Sequence, residues 1–214
     1  MSDVARILPL RGIRRATSAD LRDVTELLAH AFLHAGPVAP WLVPDPDERL
    51  EVYLGYFGLF AVDAFDRGTI EINHEITCAA LWYPPDQALG HPENYEEQLA
   101  DITGERLERF QVLDRLLAAA HPRGRHEYLA FLAVAPEVQG MGQGSRMLRH
   151  HHTTIDDLDL PAYLEASNVD NRRLYARHGY STTGRVQLPD GGPTLFPMWR
   201  PKVSAPPPAE DAGE

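Results

Sequence analysis

The chain has 214 residues, 43% of them hydrophobic, enough for one sizeable core, so one domain is the first expectation. Twenty Lys and Arg stand against 31 Asp and Glu, and a formal charge of −11 argues against nucleic acid as a partner. It would suit a cationic small molecule or serve only to keep the protein from self-association. A single cysteine, Cys78, excludes an internal disulfide and a Cys-based zinc site. With no secretion signal and no run of about 18 apolar residues, a cytoplasmic protein that does not meet the membrane is expected.

In chain order, residues 1–10 read as an N-terminal extension and 11–16 as a short first strand. Thr17 to Asp20 then cap a helix whose apolar positions Leu21, Val24, Leu27, Leu28, Ala31 and Phe32 recur at three and four. Pro37 and Pro40 should break it. Asp45-Pro46-Asp47 opens a second helix, about 47–65, apolar almost all round and therefore buried. The β-rich runs 69–73 and 76–83 flank His74-Glu75 as a hairpin would. Residues 86–125 read as a helical insertion, with helices over 92–101 and 103–120. Next comes a strand over 128–134, apolar on both faces and so central. A helix over 144–158, a strand over 162–166, a helix over 169–177 and two strands over 180–188 and 194–200 follow. From Val203 the Pro, Ala and acidic composition predicts disorder. A single domain over 11–202 results, an α/β fold with a mixed sheet.

The most informative stretch joins the central strand to the next helix: Val134-Ala-Pro-Glu-Val-Gln-Gly-Met-Gly-Gln-Gly-Ser145. Alternating glycines allow φ > 0 and close approach of a ligand, and free N–H groups at a helix start hold an anion without lysine. A Walker loop would end Gly-Lys-Ser/Thr, whereas this one has Gly144-Ser145-Arg146. A dinucleotide fingerprint could use Gly140, Gly142 and Ser145 with Glu165 as the ribose acid, but such a loop opens a domain and this one comes late. The segment Gln139-x-x-Gly142-x-Gly144 resembles the pyrophosphate loop of the GNAT superfamily of acyl-CoA N-acyltransferases. The block 164–180 is similar to that superfamily's Asn-x(6)-Tyr-x-x-x-Gly-Phe segment, with Asn168, Tyr175 and, in place of Phe, Tyr180. Thr-Gly-Glu-Arg-Leu at 103–107, Leu-Glu-Ala-Ser at 164–167, Asn171 and the Pro-rich end resemble the puromycin N-acetyltransferase-like branch.

The resemblance implies a mostly antiparallel twisted sheet of six to seven strands flanked by helices, and transfer of acetyl from acetyl-CoA to a primary amine through a ternary complex. The backbone of Leu132, Ala133 and Val134 would bind the pantetheine amides as an added strand does. The N–H groups of Gln139, Gly140, Met141, Gly142, Gln143, Gly144 and Ser145 would hold the pyrophosphate. Asn168 and Asn171 would orient the cofactor, or serve as plain N-caps. Tyr175 would be the acid for the leaving thiolate, or an aromatic packed in the core. Glu165 is the candidate base, with Glu127, Tyr128 and a water chain as rivals.

The acceptor implied is a small-molecule amine, with a peptide or protein substrate, or a non-catalytic acyl-CoA sensor, as alternatives. A homodimer is left open. No metal is expected: His150, His151 and His152 are consecutive on a helix and point about 100° apart. Trp41, Tyr53, Phe57 and Trp82 fall where the superfamily forms its acceptor pocket, yet core packing is the favoured reading of each. Cys78 reads as a buried small hydrophobe.

Overall fold

A computed structural model describes residues 12–33, 36–85 and 90–203. The expected extension over 1–10 and nearly all of the tail lie outside the described residues. The first strand, β1 (Arg14–Arg15), is shorter than expected. The Arg14 side chain makes a two-pronged ion pair with Asp20, at 2.8 Å for each nitrogen. Asp20 also accepts from the backbone and hydroxyl of Thr17, which fixes the turn before α1 (Leu21–Leu33).

Pro37 and Pro40 do not clear the following segment of helix, since α2 (Val38–Leu42) contains Pro40. Pro40 is the third residue of that helix, where a backbone N–H would have no partner in any case. Asp45 caps α3 (Pro46–Arg67), accepting from Asp47 N at 2.9 Å with Pro46 in the first helical position. The hairpin forms as β2 (Thr69–Ile72) and β3 (Cys78–Tyr83), its turn held by Asn73 Oδ1 accepting from the N–H groups of Thr77 and Cys78. The insertion supplies α4 (Tyr95–Thr103) and α5 (Leu107–Ala120). After β4 (Glu127–Val134) come α6 (Gln143–Asp157), β5 (Ala162–Ala166) and α7 (Val169–Ala176).

The expected strand over 180–188 is two pieces, β6 (Ser181–Thr182) and β7 (Val186–Gln187), both paired with β8 (Thr194–Arg200). Pro197 explains the break. Its carbonyl accepts from Thr183 N at 2.8 Å, but it has no N–H to return. Among the described residues the sheet thus has eight strands, in the order β1-β2-β3-β4-β5-β8-β6 with β7 also on β8. Of these pairs, among the described residues, only β4–β5 is parallel. The fold is a mixed, mostly antiparallel α/β sheet with β4 in the middle, as its two-sided apolar sequence requires.

Two apolar clusters flank the sheet. One joins α1, α3 and the insertion to one face through Leu28, Phe57, Ile72 and Phe110. The other packs α6 and α7 on the opposite face through Trp82, Leu148, Leu164 and Tyr175.

Candidate active site

The site begins with a break in the sheet. β4 and β5 pair only at Glu127–Ala162 and Tyr128–Tyr163. On the other side of β4, Leu81 faces Phe131 while Trp82 faces Leu129, so Ala130 is an extra residue. Such a bulge bends its strand and increases the twist. Residues 129–134 therefore diverge from β5 and leave an edge that β5 does not fill. Leu132, Ala133 and Val134 lie on it, and the side-chain amide of Gln139 folds back to donate to the Val134 carbonyl at 3.0 Å.

Beyond this edge the glycine loop turns into α6. Gly140 and Gly142 have φ of 76° and 78°, the left-handed region where an L side chain is strained. Gly142 is the N-cap and supplies no side chain to the helix start. The first of these N–H groups with a protein acceptor is that of Arg146, bonded to Gly142 O at 3.0 Å. Those of Gly140 to Ser145 have none among the described residues. No acid lies in the first turn, so these groups and the positive end of the helix dipole face outward as an anion site. Gly144 lets α6 settle on Leu132, Val134 and Leu174, while Ser145 Oγ is hydrogen-bonded to His178 Nε2 at 2.9 Å. Met141 is exposed.

Where the sheet opens there is a cavity of about 230 Å³ between β4, β5 and the helices α1, α3 and α5. Glu165, Ser167, Asn171 and Tyr175 all line it. Glu165 Oε2 accepts from the Tyr128 hydroxyl at 3.0 Å, and Oε1 is buried without a partner. Burial pushes this carboxyl up to about 7; the Tyr163 and Tyr128 hydroxyls favour the charged form and offset the effect in part. Tyr175 is only 7% exposed, packed against Tyr180 and the Cys78 region, and burial raises its phenol well above the ordinary range. Its hydroxyl has no hydrogen-bond partner among the described residues, so the proton is free to be given to whatever enters the cavity.

The remaining candidates fall into place around this pair. Asn168 is the N-cap of α7, its Oδ1 accepting from Asn171 N at 2.8 Å; it lies on an adjoining groove and not on the cavity. Asn171 donates to Ser167 Oγ at 3.0 Å and does line the cavity. Glu127 points to the other face of the sheet, 3.9 Å from His151 Nε2, and burial with repulsion from Glu71 pushes it up to about 7. Tyr128 is in the cavity.

Of the four aromatic residues singled out, Tyr53 and Phe57 are both core and cavity wall. Trp82 stacks on His151 of α6, on the face of the sheet away from the cavity, with ring centroids 3.8 Å apart, and Trp41 donates to the Pro189 carbonyl. The three histidines diverge: His150 is half-exposed, His151 bonds Glu71 at 3.1 Å and His152 meets the Tyr180 hydroxyl at 3.1 Å. Burial pushes the Cys78 thiol up to about 12, which leaves it inert.

Sequence reasoning missed Asp114. It lines the cavity from α5 and accepts from the Tyr95 hydroxyl at 3.0 Å. The signal was present in its spacing, four after Phe110 and three before Leu117, on the helix face that should be apolar.

Residues 108–182, which hold the bulged strand, the loop, Glu165 and Tyr175, match the family model of the acetyltransferase (GNAT) domain. Among solved structures, a histone acetyltransferase HPA2 and related acetyltransferase from Corynebacterium glutamicum is 27% identical with a TM-score of 0.71, over 92% of this chain and 99% of that one. An arylalkylamine N-acetyltransferase 2 from Aedes aegypti shares the fold at 14% identity and a TM-score of 0.60, over 90% and 99% of the two chains. An N-acetyltransferase from Staphylococcus aureus Mu50 does so at 16% and 0.57, over 88% and 99%. Residues 108–182 thus match a GNAT acetyltransferase domain, and this match together with the structural neighbours supports an acyltransferase. A GNAT domain takes an acyl-CoA and an acceptor; no helix among the described residues is long and apolar enough to cross a membrane.

Proposed function

We propose that this enzyme acetylates the primary amine of a small molecule, taking the acetyl group directly from acetyl-CoA in a ternary complex in the cytoplasm. The observation that carries this reading is that one cavity holds both a carboxyl near neutral pKa and an unpartnered phenol, beside an open strand edge and a free helix N-terminus. The free edge at 132–134 has the donors and acceptors that pantetheine amides need, and the loop suits a pyrophosphate. Both features fit acetyl-CoA as the donor substrate. The walls contributed by α5 and by α1 and α3 enclose the acceptor end, which favours a small amine over a folded protein.

Attack on a thioester requires a neutral amine. Glu165, ionised about half the time near pH 7, takes the proton from the incoming ammonium or from the amine as its C–N bond forms. Its Tyr128 bond keeps the carboxylate oriented. As the C–S bond breaks, the Tyr175 O–H gives its proton to the CoA sulfur; the two groups then exchange protons with solvent to restore the starting state. The likeness to the puromycin branch adds aminonucleosides to the amines worth testing.

The test is release of free CoA thiol over a panel of aryl and alkyl amines, aminonucleosides, polyamines and peptides. Turnover with small apolar amines and none with peptides supports the proposal. Binding of acetyl-CoA without turnover of any amine would leave a non-catalytic sensor as the better account.

A further inference from the structure

Among the described residues lining the acceptor cavity there are two carboxyl groups, Glu165 and Asp114, and neither Lys nor Arg. Between them the wall is aromatic: Tyr56, Phe57, Phe60 and Phe131 form a cluster with neighbouring ring centroids 5.0–5.4 Å apart. The two acids stand well apart. Ala120, at the end of α5, accepts from the Tyr163 hydroxyl on the face of β5 that carries Glu165, and Asp114 lies six residues earlier, about 9 Å along the helix.

Asp114 is held in place. Tyr95, itself buried, donates to Oδ2 at 3.0 Å and is stacked on His91 with ring centroids 4.2 Å apart and planes 5° from parallel. One hydroxyl does not saturate a carboxylate, which can accept about four hydrogen bonds. The remaining sites belong to a group that faces an apolar chamber. A carboxylate in such a place gains most from a cation, because charge-assisted bonds in a poorly hydrated site are the strong ones.

We propose that Asp114 is a specificity-determining residue that binds a second amino group on the acceptor, so that the preferred substrate is an elongated diamine with an apolar or aromatic middle. This rests on the acetyltransferase reading of the cavity. One amine meets Glu165 and Tyr175, the hydrophobic body lies among the aromatic rings, and the far ammonium bonds Asp114.

The experiment compares two acceptors of equal length, 4-(2-aminoethyl)benzylamine and its analogue with ethyl in place of the aminomethyl group, in the wild type and in Asp114→Asn. KM for the diamine should lie at least tenfold below that of the monoamine in the wild type, and the ratio should fall to within about threefold in Asp114→Asn. Tyr95→Phe, which keeps the carboxyl but loses its anchor, should give an intermediate ratio. A role confined to tying α4 to α5 would instead lower the melting temperature of both variants and leave the ratio as it was. That result, or equal KM values in the wild type, overturns the proposal while leaving the N-acetyltransferase reading intact. Absence of turnover with every amine, in protein that binds acetyl-CoA, overturns both.

Discussion

Tyr175 and Glu165 have opposite requirements, and the cavity meets each with a different surrounding. The phenol keeps its proton because burial disfavours the phenolate, which is consistent with the acid role proposed for it. Removing the hydroxyl in Tyr175→Phe should lower kcat by about 10²-fold, with the Kd for acetyl-CoA changed less than about twofold. Stopped-flow turnover and calorimetric binding check this; turnover within about threefold of wild type removes Tyr175 from the chemistry. Gly142 makes a separate demand. A Cβ there would meet nothing within 4 Å, but φ of 78° disfavours any L residue. Gly142→Ala should therefore cost about 1 kcal/mol through the backbone and weaken CoA binding as the loop relaxes. The stabilising shift in melting temperature on adding CoA should shrink beyond the loss seen in the free protein. An unaltered shift would place the pyrophosphate elsewhere.

At the scale of elements, what could be read from the sequence was what local residues control. The glycine loop, the cap at Asp45, the hairpin around Asn73 and the central strand, read from Tyr128 where it begins at Glu127, follow from turn chemistry and periodicity over a few positions. Where the chain departed from expectation, a partner distant in sequence decided the matter. Pro197 divides the strand opposite it, and the bulge at Ala130, which opens the sheet, has no signature in an alanine between Leu129 and Phe131. Asp114 escaped notice because its meaning depends on α5 covering the cavity. Gly68 offers a test of these long-range contacts. Between α3 and β2, its Cβ would lie 2.3 Å from the Trp82 carbonyl, which cannot yield without shifting β3. Gly68→Ala should destabilise the fold by about 1–3 kcal/mol in urea unfolding, and a loss under about 0.5 kcal/mol would mean that β2 and β3 can separate freely.

For the molecule as a whole, two carboxyls with the same raised pKa lie on opposite faces of one sheet. Glu127, beside Glu71 and His151, and Glu165, in the cavity, both sit at about 7 in the folded protein and near 4.5 when exposed. Each is protonated more readily in the folded state, so its favourable contribution is complete below about pH 4.5 and is lost as pH rises to about 7. Buried His121 and His152, lowered to about 4 and about 3, act in the opposite sense over the acid part of this range. The melting temperature of Glu127→Gln relative to wild type should accordingly increase between pH 4.5 and 7.5. A flat difference would deny the burial of that charge. Under the proposed mechanism catalysis should separate the two acids where stability does not, because of the two only Glu165 faces the cavity. The most direct measurement is the pH profile of kcat/KM for one good amine acceptor in the wild type, Glu165→Gln and Glu127→Gln. The wild type and Glu127→Gln should share a rising limb with an apparent pKa near 7, and Glu165→Gln should lose that limb, fall about 10²-fold at neutral pH and recover only as free amine accumulates at high pH. A limb that persists in Glu165→Gln and disappears in Glu127→Gln would contradict the assignment of the base to the cavity.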